Sequence, residues 1–163
     1  LSYRLPREPS TPRISVWRKL KRLGVAQLSD GLVALPADAR TREQLEWIAD
    51  EVLEAGGSAG IWLSRPATLA QERDLAARMA AARAAEYTTV LTAAQAAAAG
   101  DAAARAAAAR RLRAELRRIG RRDYFPPAER EQAHAAVQAL TTPPGDPAEQ
   151  EQAEPIDVRG DGP

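Results

Sequence analysis

The chain has 163 residues, with 23 Lys and Arg against 22 Asp and Glu, a net charge of +1, and no cysteine. That length suits one compact domain with additions, and the missing thiols exclude disulfides, thiolate metal sites and cysteine nucleophiles. Leu1 to Ser15 lacks the apolar core of a signal peptide, and no apolar run approaches the ~20 residues of a membrane span, so a soluble, cytoplasmic protein with no membrane partner is expected.

Leu1 to Leu5 reads as a short strand. It starts without an initiator Met, as expected of a fragment whose first strand is clipped. Pro6 and Pro9 end it. Ser10 or Thr11 is expected to cap a helix with Pro12 in its first turn, running to Leu23 and stopped by Gly24. Val25 to Leu28 and Leu32 to Leu35 are apolar runs joined through Ser29-Asp30-Gly31, a hairpin signal. Thr41 with Gln44 three residues on suggests a capping box for a second helix. Leu45, Ile48, Val52 and Leu53 supply its apolar face, and Gly56-Gly57 ends it. Ser58 to Leu63 is read as a fourth strand, closed by Arg65-Pro66. The order β-α-β-β-α-β predicts an α+β fold with a ferredoxin-like split β-α-β sheet over residues 1–65. Trp17, Trp47 and Trp62 fall in three elements and are expected to share the core between helices and sheet.

Residues 66–140 read as helical. A long Ala-rich segment carries Leu69, Leu75, Met79, Val90 and Leu91 and ends near Gly100. Asp101 can cap a further helix, on which Leu112, Leu116 and Ile119 form a narrow apolar stripe. Gly100-Asp101 is then the tip of a helical hairpin. Asp123-Tyr124-Phe125-Pro126-Pro127 reads as a turn, and Ala128 to Leu140 as a last amphipathic helix. Residues 141–163 are rich in Pro, Gly and acidic side chains and are expected to be a disordered acidic tail.

The near-zero net charge hides segregation. Arg7, Arg13, Arg18, Lys19, Lys21 and Arg22 face only Glu8 in the first helix region. A second basic block runs from Arg105 to Arg122, and the tail is acidic. On the first helix, at about 100° per residue, Val16, Trp17, Leu20 and Leu23 share one side. Arg18, Lys19 and Arg22 project from the other, and Lys21 flanks the apolar side near Ile14. Cations so placed can contact phosphates, and Arg18 and Arg22, one turn apart, can straddle adjacent ones. A plain solvated face is the competing reading. The first is favoured by the lack of acidic partners at i±4 between Arg13 and Arg22. Arg110, Arg113, Arg117 and Arg121 on the later helix lie opposite Leu112 and Leu116, where they can bind nucleic acid or the acidic tail; a solvated face is the favoured reading.

Glu46, Asp50 and Glu54 lie one turn apart on the second helix, but no histidine is near them, and a solvated acidic face is the simpler reading. Gly56-Gly57-Ser58-Ala59-Gly60 follows a helix and precedes a strand, the reverse of a phosphate loop. His134 is the single histidine, and no Ser-His-Asp or metal set can be assembled around it. No catalysis and no cofactor are expected.

Arg7-Glu8-Pro9-Ser10, Val16-Trp17-Arg18-Lys19-Leu20-Lys21-Arg22-Leu23-Gly24, Leu35-Pro36, Thr41-Arg42-Glu43-Gln44 and Arg121-Arg122-Asp123-Tyr124-Phe125 together resemble the N-terminal domain of the ChrB chromate-resistance proteins. The resemblance implies a bacterial protein of chromate resistance, acting as a chromate-responsive transcriptional regulator whose N-terminal part binds DNA. It also implies a separate C-terminal domain linked to chromate sensing. No such domain follows here, so chromate binding by these residues is not expected. The helix-hairpin order is similar, too, to the C-terminal domain of phenylacetate-type repressors and to the small CRISPR adaptation nucleases. Those nucleases carry an acidic residue after the first strand, where this chain has Leu5-Pro6-Arg7.

The expected function is therefore a promoter-binding regulatory module with Arg13, Arg18, Lys19, Lys21 and Arg22 on DNA. The alternative is a non-catalytic interaction module that forms a homodimer through the open sheet face or the helical hairpin.

Overall fold

A computed structural model describes residues 1–142 of the chain. Residues 143–163, and with them nearly all of the expected acidic tail, lie outside the described residues. The fold is α+β, with a four-stranded antiparallel sheet and five helices among the described residues.

The sheet half runs β1 (Ser2–Arg4), α1 (Ser10–Leu23), β2 (Ala26–Ser29), β3 (Leu32–Ala34), α2 (Ala39–Glu54) and β4 (Ser58–Gly60). The strands lie in the order β2-β3-β1-β4, and every neighbouring pair is antiparallel. The β2–β3 hairpin turns through Gly31 at φ 70, and a register shift between Gln27 and Ser29 marks a bulge. A β-carbon on Gly31 would sit 2.3 Å from the Tyr3 carbonyl oxygen, so glycine is required there for space as well as for φ.

Two caps differ from expectation. The N-cap of α1 is Pro9, with no side-chain cap, and Ser10 and Thr11 lie inside the first turn. The N-cap of α2 is Asp38, not Thr41. Its carboxylate accepts from the Thr41 amide at 2.8 Å, while Thr41 Oγ1 accepts from the Asp38 amide at 3.2 Å. Thr41 is thus the third helical residue of the box rather than its start, and it is buried. The hydrogen bonds from the Thr41 and Arg40 amides favour the ionised cap and hold the Asp38 carboxyl below its usual value.

One apolar cluster holds this half together. Leu1, Val16, Leu20, Val33, Leu45, Ile48, Ala49 and Val52 are buried in it, with Trp17 and Leu23 packed against it. The tryptophan expectation needs correction. Trp47 is 65% exposed and Trp62 is 70% exposed; only Trp17 joins the core. On α2, Trp47 lies about 200° around the helix from Leu45, which places it on the far face.

The helical half comprises α3 (Leu69–Ala97), α4 (Ala102–Gly120) and α5 (Glu129–Ala139). Thr68 caps α3 by accepting from the Gln71 amide at 3.2 Å. Asp101 caps α4, as expected, by accepting from the Ala104 amide at 2.7 Å. Helix α3 packs on both α4 and α5. A second apolar cluster forms there from Tyr87, Val90, Ala94, Ala109, Leu112, Leu116, Ile119, Ala133, Val137 and Leu140. No helix of the described residues is long and apolar enough to cross a membrane.

The two halves meet at the C-terminus of α1. Gly24 ends that helix at φ 74, ψ 32, with its amide donating to the Leu20 and Lys21 carbonyls. A β-carbon on it would lie 2.9 Å from Arg122 Cβ and 3.1 Å from Arg83 Nη1. The Tyr124 hydroxyl donates to the Leu23 carbonyl at 3.1 Å, and Arg40 Nη2 donates to the Arg121 carbonyl at 2.8 Å. Of the strands, only β2 touches the helical half, through α3.

Candidate nucleic-acid interface

Helix α1 presents its cations because its other face is committed. Val16 and Leu20 are fully buried, and the 3.6-residue period then turns Arg18 and Arg22 outward. Both are exposed, one turn apart, and neither has an ion-pair or hydrogen-bond partner among the described residues. Arg22, with Lys21 beside it in the last turn, also complements the carbonyl end of the α1 dipole.

The other three expected contacts are engaged. Lys19 is not a free cation. Its Nζ forms an ion pair with the Glu51 carboxylate of α2, and Ser15 Oγ donates to Glu51 Oε1 at 2.9 Å. The absence of acidic residues along α1 therefore does not leave Lys19 unpaired, because its partner comes from the neighbouring helix. Partial burial works against the charged Glu51. The hydrogen bonds from Lys19 and Ser15 and the Lys19 charge outweigh it, and the carboxyl is held below its usual range. Lys21 Nζ lies 5.3 Å from the centre of the Trp17 ring, a cation–π contact. Arg13 Nη2 donates to the Pro6 carbonyl at 2.8 Å and fastens the start of α1 to the preceding loop.

Sequence reasoning missed the neighbour of Arg22. Between α1 and α2 lies a cleft of about 290 Å³ lined by Lys19, Arg22, Leu23, Gln44, Trp47 and Glu51. An exposed indole thus stands across the cleft from an exposed guanidinium. The wheel of α2 carried that signal, since it sets Trp47 opposite Leu45.

The acidic residues of α2 are likewise divided up. Glu46 pairs with Arg42 at 2.8 Å and Glu51 with Lys19. Among the described residues, no group of three or more His, Asp or Glu side chains is placed to hold a metal ion.

A family model described as Protein ChrB, N-terminal, matches residues 13–100, more than half of the chain. That span takes in α1 from Arg13 onward, β2, β3, α2, β4 and all of α3, and leaves β1 outside it. No curated protein and no solved structure matches the chain.

Proposed function

The chain belongs to the ChrB N-terminal family, and from that premise we propose that it is a DNA-binding regulatory module of chromate resistance. Membership associates the chain with chromate resistance; regulation of transcription and promoter binding are our reading. The observation that carries it is the exposed, unpaired couple Arg18 and Arg22 on α1. These two contact phosphates, with Arg13 and Lys21 in support and Lys19 held back by Glu51. We read the sheet half as ferredoxin-like. The order β2-β3-β1-β4 with antiparallel neighbours supports that reading.

The test is anisotropy of a labelled duplex from the gene's own upstream region, measured across a salt series. Affinity should fall steeply with salt, and Arg18→Ala with Arg22→Ala should lower the slope by about 2. An unchanged slope in that double variant refutes the assignment.

One observation favours a second reading, self-association. Trp62 and Leu63, adjacent in the segment that follows edge strand β4, are both exposed. Light scattering that gives a stable dimer, with no duplex bound at low salt, would select it.

A further inference from the structure

The two edges of the sheet differ. Edge strand β2 carries a bulge between Gln27 and Ser29 and is packed by α3. Edge strand β4 touches only α2 and β1 among the described elements, and it pairs with β1 in unbroken register. Natural edges are protected by charge, proline, a bulge or a covering element. From Ala55 to Ser64 the chain has neither charge nor proline.

The outward backbone groups of β4 follow from its neighbours. The Tyr3 amide donates to the Gly31 carbonyl at 2.7 Å, and the Leu1 carbonyl accepts from the Val33 amide at 3.0 Å, so these residues of β1 face β3. Backbone groups alternate sides along a strand, so Ser2 and Arg4 face β4 and meet Gly60 and Ser58. The same alternation turns the amides and carbonyls of Ala59, and of Ile61 just past the strand, away from β1. No backbone group among the described residues meets them there.

A fixed aromatic ring stands beside this edge. Trp62 is exposed, yet its Nε1 donates to Ser2 Oγ at 2.9 Å. The indole lies over Gly60, where an added β-carbon would come 3.2 Å from Nε1. A ring already held in place loses little freedom when a partner covers it, which suits an interface anchor.

We propose that β4 pairs with β4 of a second copy of this chain, antiparallel about a two-fold axis at Gly60, so that two sheets become one. The proposal rests on the self-association reading, adds its place and register, and holds whether or not α1 binds DNA. An axis perpendicular to the sheet keeps each side chain on its own face. Ala59 then exchanges hydrogen bonds with Ile61 of the second copy, and Ile61 with its Ala59, which uses the outward groups of both. Trp62 falls opposite the second copy's Ser58, a small exposed residue that leaves room for the indole. Charge favours a second copy as the occupant. Glu54 and Arg65 are the first charges on either side of the uncharged run. An antiparallel copy brings each of them towards the opposite sign and sets no like charges face to face.

The full chain is examined by sedimentation over a dilution series, and a reversible dimer is expected. Trp62→Ala should weaken it by about tenfold or more, as loss of an aromatic anchor does. Ser58→Lys should weaken it too, by placing a charge on the edge. Both side chains are exposed, so both variants keep the fold, which circular dichroism checks. Cross-linking reads the register, because the chain has no cysteine of its own. In Gly60→Cys the two thiols meet across the axis, with Cα atoms about 4.5 Å apart and within reach of a disulfide. In Ser58→Cys the equivalent atoms lie about 13 Å apart or more, which is too far. Oxidation should join the first variant and not the second. A monomer at every concentration overturns the proposal together with self-association, and leaves the edge to a strand of another protein. A dimer that survives Trp62→Ala and Ser58→Lys unchanged overturns the proposal alone. So does a dimer whose Gly60→Cys variant fails to cross-link, or cross-links no better than Ser58→Cys.

Discussion

Lys19 and Glu51 are joined in an ion pair that ties α1 to α2, and the Ser15 hydroxyl donates to the other oxygen of the same carboxylate. The pair does two things at once. It contributes to the contact between the helices, and it subtracts one cation from the face that we assign to DNA. Replacing Glu51 by Gln separates these effects. Duplex affinity should rise, with the salt slope increased by up to about 1 as Lys19 is released. Stability should fall by no more than about 1 kcal/mol, as for other partly exposed pairs. Glu51 is a carboxyl lowered by folding, so its contribution is present at neutral pH and is lost as pH falls below its ordinary value of 4.5. Melting curves of the two proteins should therefore differ near neutrality and converge in acid.

Tyr87 is buried and donates its hydroxyl to Asp123. Burial, followed by that hydrogen bond and the Asp123 charge, pushes its pKa up to about 12. The folded state thus holds the phenolic proton where an unfolded chain begins to lose it. That stabilisation is complete below pH 10 and fades as pH rises towards 12. Tyr87→Phe should cost about 1–3 kcal/mol, because a buried carboxylate oxygen loses its donor. Phenolate absorbance of the native chain minus that of the variant should titrate well above the free-tyrosine range.

Gly24 carries two demands at one position. It needs a left-handed backbone, and its missing side chain admits Arg122. Gly24→Ala should cost about 1–3 kcal/mol, from strain at positive φ added to crowding. Chemical denaturation will measure it. Gly120→Ala, in open space at the end of a helix, is the matched control and should be neutral or mildly stabilising.

The three tryptophans should separate by accessibility. A neutral quencher should reach Trp47 and Trp62 freely and Trp17 poorly. Trp47→Ala should leave stability within about 0.5 kcal/mol, while Trp17→Ala should cost at least about 1–2 kcal/mol. If Trp47 takes part in duplex binding, adding the labelled DNA should protect it from the quencher.

Much of the backbone was legible because it is written in local chemistry. Gly24, Asp30-Gly31, Gly56-Gly57 and Asp101 each punctuate the chain through φ preference or capping, and each sits where that chemistry puts it. The start of α2 was misjudged because Asp38 and Thr41 are both competent caps, and only the path of the preceding loop selects Asp38. Burial of Trp47 was expected from residue type, and the helical period overrules it. On α1 the outward direction of Arg18 and Arg22 follows from Val16 and Leu20. The state of Lys19 does not, because Glu51 lies 32 residues away and is brought near only by helix packing.

The buried alanines carry a consequence for how this chain can drift. Ala94, Ala109 and Ala133 are almost wholly enclosed in the helical half, whereas most of the alanines around them are exposed or only partly covered. A larger side chain at any of those three positions must force helices apart, at about 1–3 kcal/mol. The alanine tracts look like filler that any substitution would respect. They are instead a permissive background with a few fixed points, and those points set how closely α3, α4 and α5 can approach.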